Sequence, residues 1–106
     1  METVVTQQEE GPRFSFDNEI TIYTVAELKE KFYSDWSKLA GEILVDLSVV
    51  DELDGAGIQL LLQIKNDSEQ NNRSVRFVNH SSLVLETFEM LNLIDRLSDP
   101  VINPED

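Results

Sequence analysis

The apolar positions of this chain alternate between short runs and helical stripes. Phe14 and Phe16 are separated by a polar residue, which predicts a half-buried strand with both rings on one face. Asp17-Asn18 is a turn signal. Glu19 to Tyr23 reads as an extended continuation, with Ile20 and Ile22 pointing the same way. Val25, Leu28, Phe32, Trp36 and Leu39 then recur at helical spacing and form one apolar stripe. Lys29, Glu30, Lys31 and Asp35 take the wet side. Thr24 and Glu27 bracket the start of this helix as a capping box, and Gly41 ends it. Ile43, Leu44 and Val45 form an unbroken apolar run, the pattern of a strand covered on both faces and therefore central and parallel.

A second helix is predicted over Gly55 to Gln70. Ile58, Leu61, Leu62 and Ile64 face inward, Leu60 lies at the margin, and Gln59, Gln63, Asn66, Asp67 and Gln70 face out. Asn71-Asn72 breaks it. Ser74 to Val78 is a further strand. Ser82 reads as the N-cap of a third helix burying Val84, Leu85, Phe88 and Leu91, with Asn92 as its C′ residue. Leu93, Ile94 and Leu97 close the end as a short turn or helix. The order strand, strand, helix, strand, helix, strand, helix predicts an α/β fold, a mixed β-sheet of about four to five strands with helices packed against it. Residues 1–12 read as a tail, or as a short edge strand through Val4 and Val5. Residues 13–97 form the domain, and residues 98–106 an acidic C-terminal tail.

Composition narrows the function. The chain has 106 residues, room for one core and not two. Cysteine is absent, which removes disulfides, thiolate catalysis and thiolate metal sites and fits a reducing, cytoplasmic setting. No apolar stretch is long enough to span or insert in a bilayer. A net charge of −13, with eight Lys and Arg scattered along the chain, opposes nucleic acid and anionic lipid. It favours a protein partner with a basic face.

The most informative stretch is Val45 to Ile64, VDLSVVDELDGAGIQLLLQI. A buried strand runs into an acidic turn, then Asp54-Gly55-Ala56-Gly57, then an amphipathic helix. A carboxylate at Asp54 suits a helix start, where it accepts free N–H groups and meets the positive end of the dipole. Gly57 suits close approach of helix and sheet, because it has no Cβ. This wording resembles the signature of STAS domains, named for sulfate transporters and anti-sigma factor antagonists. FDNEITIYTVAELKEKF is similar to that family's first strand-to-helix passage, and VRFVNHSSLVLETFEMLNLIDRL to its closing segments.

The resemblance implies a STAS-type fold and a non-catalytic binding module of a bacterial signalling system, chemotaxis clusters included. It implies a surface at the helix start that docks an anti-sigma or histidine-kinase-like partner. Asp46 and Asp54 match the family's acids, and Ala56 and Gly57 its small residues. In the phosphoswitch members a Ser or Thr follows the second Asp; here Gly55 stands there, without a hydroxyl. The expected partner-binding set is thus Asp46, Ser48, Asp51, Asp54, Gly55, Ala56 and Gly57, with no phosphorylation at Gly55 and Ser48 a poor substitute. The resemblance also extends to STAS accessory subunits of lipid-transport ABC systems, where the partner would be an ATPase.

Other constellations are weaker. Asp46, Asp51, Glu52 and Asp54 form an acidic cluster that suits magnesium in principle, but a solvated loop with one helix cap accounts for it. His80 is the only histidine; adjacency to Ser81 and Ser82 is not triad geometry. Gly55-Ala56-Gly57 is too short for a phosphate loop and lacks its Lys. No catalytic residue, metal or cofactor is expected. Trp36 and Phe32 read as core, whereas Tyr23 and Tyr33 are candidates for an interface.

Overall fold

The computed structural model describes residues 13–38 and 41–97. Five strands and four helices follow in the order β1 (Arg13–Ser15), β2 (Glu19–Ile20), α1 (Val25–Lys38), β3 (Ile43–Asp46), β4 (Glu52–Leu53), α2 (Gly55–Gln70), β5 (Val75–Val78), α3 (Ser82–Met90) and α4 (Ile94–Leu97). β3 is central in a three-stranded sheet of order β1-β3-β5, with Phe14 opposite Val45 and Val45 opposite Phe77. All four β3 residues are buried, as an apolar run covered on both faces requires. The second sheet pairs β2 with β4, Ile20 opposite Leu53. All these pairs are parallel. The antiparallel member of a mixed sheet is not among the described residues; Val4 and Val5 lie outside them.

The two sheets are one strand pair interrupted. Pairing stops at Ser15 opposite Asp46 and resumes at Glu19 opposite Glu52. Residues 16–18 on one side thus face residues 47–51 on the other, and the longer segment must bulge. It does so by burying Leu47 and Val50 fully and pushing Ser48 and Val49 into solvent. Val50 N–H donates to the Leu47 carbonyl across the turn, and Asp51 and Glu52 N–H groups both donate to Asn18 O.

The core gathers Phe16, Phe32, Phe77 and Phe88 with the aliphatic residues of β3, α2 and α4. Phe14 and Phe16 do share a face, their rings 5.1 Å apart and both against Phe32. Three packing expectations change. Leu60 is buried, not marginal, because α2 is embraced by α1, α4, β4 and β5 and buries a broad arc. Leu85 and Leu91 are exposed. The short α3 buries only the Val84–Phe88 line, Leu85 lies one position off it, and Leu91 is already the C-cap. The N-cap of α3 is Ser81 rather than Ser82. Its hydroxyl accepts from Val84 N and donates to Val50 O, so it ties α3 to the 47–51 bulge.

Candidate functional site

In a parallel sheet the carboxyl ends of the strands and the N-termini of the following helices meet at one edge, where loops are free to carry function. Here that edge holds the bulge, the start of α2 and the turn between β2 and α1. Asp54 organises it. One carboxylate oxygen accepts from Gly57 N at 3.0 Å, capping α2. The other accepts from Ile22 N at 3.0 Å, fastening the 21–24 turn to the same helix start. The Ile22 and Gly57 N–H groups, in that order, hold the Asp54 carboxyl below the usual range.

The three small residues after Asp54 differ in what they permit. A Cβ on Gly57 would collide with the Ile20 carbonyl oxygen and lie 2.8 Å from Leu53 Cδ1. Gly57 is therefore where α2 rests directly on the β2–β4 pair. A Cβ on Gly55 would meet nothing within 4 Å. Gly55 is exposed and Ala56 half-buried. The helix start is thus a shallow, sterically open surface at position 55.

The other predicted site residues do not all join this surface. Asp46 is only 9% exposed. It accepts from Arg13 Nη1 at 2.9 Å, Asn79 Nδ2 at 2.8 Å and the Ser48 N–H at 2.8 Å. It therefore knots β1, β3 and the loop after β5. Burial pushes its carboxyl up, but the hydrogen bonds from Ser48, Asn79 and Arg13 outweigh this and leave it below the ordinary carboxylate value. Ser48 is exposed on the bulge, beside Asp46. A phosphate there would face that carboxylate. Asp51 is exposed and accepts from Asn18 Nδ2 at 3.2 Å. The acids are thus dispersed, and among the described residues no three acidic or imidazole groups converge on a metal position. His80 packs its ring edge-on to Phe88 at 5.6 Å, a core contact.

One residue at this edge runs against the sequence pattern. Extended backbone would point Ile22 the same way as Ile20, yet Ile20 is fully buried while Ile22 is 63% exposed; beside it Tyr23, a candidate for an interface, is 88% exposed. The strand ends at Ile20 because the chain turns at once. Thr24 and Val25 N–H groups both donate to Thr21 O, and the Thr24 hydroxyl accepts from Thr21 N. That hydroxyl also donates to Glu19 O. The capping box with Glu27 does not form, since both Thr24 groups it needs are engaged in the turn. The two threonines flanking a dipeptide were the available signal for this turn.

The STAS domain family profile matches residues 3–104, nearly the whole chain. The chain belongs to the STAS domain family. STAS domains are generally non-catalytic modules that bind protein partners, and the α/β architecture of parallel strands and packed helices agrees with that family. Comparison with curated proteins finds no match. No described helix is long and apolar enough to cross a membrane. Tyr33, the second aromatic considered for an interface, instead donates its hydroxyl to Asp67 Oδ2 at 2.6 Å, joining α1 to α2. Burial, then this hydrogen bond, pushes its phenol well above the usual value.

Proposed function

We propose that this STAS domain is a signalling adaptor that docks a basic-faced, anti-sigma or histidine-kinase-like protein through the start of α2. In this reading the partner meets Gly55 and Ala56, with Asp51 and Ser48 at the margin. Asp54 and Gly57 build the surface, and Asp46 supports it from beneath. In this reading residues 13–97 carry the function. The observation that carries the reading is the open, exposed helix start at Gly55, locked to the neighbouring turn by Asp54. With no hydroxyl at position 55, control by phosphate at that position is absent, and the surface stays permanently competent.

Photo-crosslinking in the native host tests this. A benzophenone amino acid at Gly55 is expected to give an adduct with one protein, and the same group at Asn71, at the far end of α2, none. Titrating that protein with Gly55→Glu should show weaker binding by a folded variant, since the site has room for the side chain. Unchanged affinity would show that the partner docks elsewhere. An ABC ATPase in the adduct would replace the signalling role with a transport one. With a kinase-type partner and ATP, mass spectrometry should find no phosphate between Asp51 and Gly57.

A further inference from the structure

Ile22 and Tyr23 are the most exposed apolar pair at the edge just described. Single exposed hydrophobics are ordinary on protein surfaces. These two are adjacent and sit at the tip of a turn, and the Ile22 N–H donates to the Asp54 carboxylate that caps the docking helix. The turn is also tied down at every residue. Thr21 N donates to the Thr24 hydroxyl, Ile22 N to Asp54, Tyr23 N to the Thr21 hydroxyl, and Thr24 and Val25 N to Thr21 O. The Thr21 hydroxyl in turn donates to Glu19 Oε2 at 2.6 Å. A rigid turn loses little conformational freedom on binding, and an aromatic ring offers a large contact area with few rotors to freeze.

The surroundings of this tip are acidic. Glu19 and Glu52 lie directly opposite each other in the β2–β4 pair, two like charges side by side. Asp54 holds the base of the turn, and Glu27 is in the first turn of α1. An aromatic centre with a charged rim is the anatomy of a binding hot spot. The sign of that rim selects the occupant.

We infer that Ile22 and Tyr23 are the apolar anchor of the docking surface, and that the partner presents an apolar socket ringed by Lys and Arg. The inference rests on the docking reading above. Tyr23 fills the socket, Ile22 packs at its lip, and Glu19 and Glu52 meet the basic ring. A second copy of this chain fits poorly, because each copy carries a net charge of −13 and the tip would meet an acidic rim. An anionic membrane is repelled for the same reason.

The test uses the full chain and the protein crosslinked from position 55. Tyr23→Ala should weaken binding about 30-fold, in the hot-spot range. Ile22→Ser should weaken it about tenfold, and Tyr23→Phe should stay within about threefold, since the ring and not the hydroxyl is the anchor. Both side chains are exposed, so thermal melts of the variants should match the parent. Tyr23→Ala binding as tightly as the parent, while Gly55→Glu binds weakly, would overturn this inference and leave the docking reading standing. No adduct at position 55, or full affinity in both variants, would overturn both. Sedimentation showing a dimer of the free chain that Tyr23→Ala dissolves would make the occupant a second copy and also overturn it.

Discussion

Gly55 and Gly57 stand two residues apart on the first turn of α2 and have opposite tolerances. Gly57→Ala must push a methyl into the Ile20 carbonyl, a backbone atom that cannot swing aside. The expected loss is about 3 kcal/mol, the upper end of ordinary overpacking, read from urea denaturation. Gly55→Ala meets open space and removes a flexible residue from a helix. It should be neutral or stabilise by about 0.5 kcal/mol, less than the full mid-helix difference because it sits at the end. Equal losses at both positions would mean that the helix start is packed differently. Asp46 makes a second residue-scale prediction. Its carboxyl lies below the ordinary value of 3.8, so the ionised form stabilises the fold. That contribution is complete above the unfolded-state value and is lost as pH falls below about 4 and through the lower folded-state value. Asp46→Asn should lower stability at pH 7 and lose less than the parent between pH 7 and pH 3. Parallel losses in the two proteins would place the acid sensitivity elsewhere.

At the scale of elements, α3 offers a direct comparison. Ser81→Ala removes both the cap on Val84 and the hydrogen bond to Val50, and should cost about 1–2 kcal/mol. Ser82→Ala should cost almost nothing, because that side chain is exposed and caps nothing. Thermal denaturation of the pair separates the two assignments. The sequence pattern points to Ser82, one residue late, since a cap is decided by backbone direction and not by residue type. Much else at this scale was legible. The bounds of α2, the central place of β3, the breaks at Gly41, Asn72 and Asn92, and the apolar stripe of α1 follow from periodicity and turn chemistry. Asp54 as cap and Gly57 as close-approach residue were legible for the same reason, both being demands of local geometry. The role of Asp46 was not, because Arg13 and Asn79 reach it from residues 33 positions away in either direction. Nor was the outward turn of Ile22: alternation implies an inward side chain, while Thr21 and Thr24 close the turn by hydrogen bonds that hydropathy does not register.

For the whole molecule, the charge of −13 acts on encounter more than on the bound state. Raising ionic strength from about 0.02 to about 0.5 M should slow association with a basic partner roughly tenfold or more, with little change in dissociation. Stopped-flow rates independent of salt would show that the partner's face is not basic. The position of the sole tryptophan bears on how such an experiment is read. Trp36 lies eleven residues beyond Val25, about 16 Å along α1 from the end that touches the docking edge. Its ring is half-buried against Phe32 and Tyr33, with the Arg73 guanidinium over it at 5.1 Å. Unfolding should strip away that cation and shift the emission to the red, whereas docking at the far end should leave the spectrum unchanged. The chain therefore carries an internal fluorophore that reports its own integrity and is silent to its partner. An emission change on complex formation would reveal α1 as a lever that carries the binding event down its length.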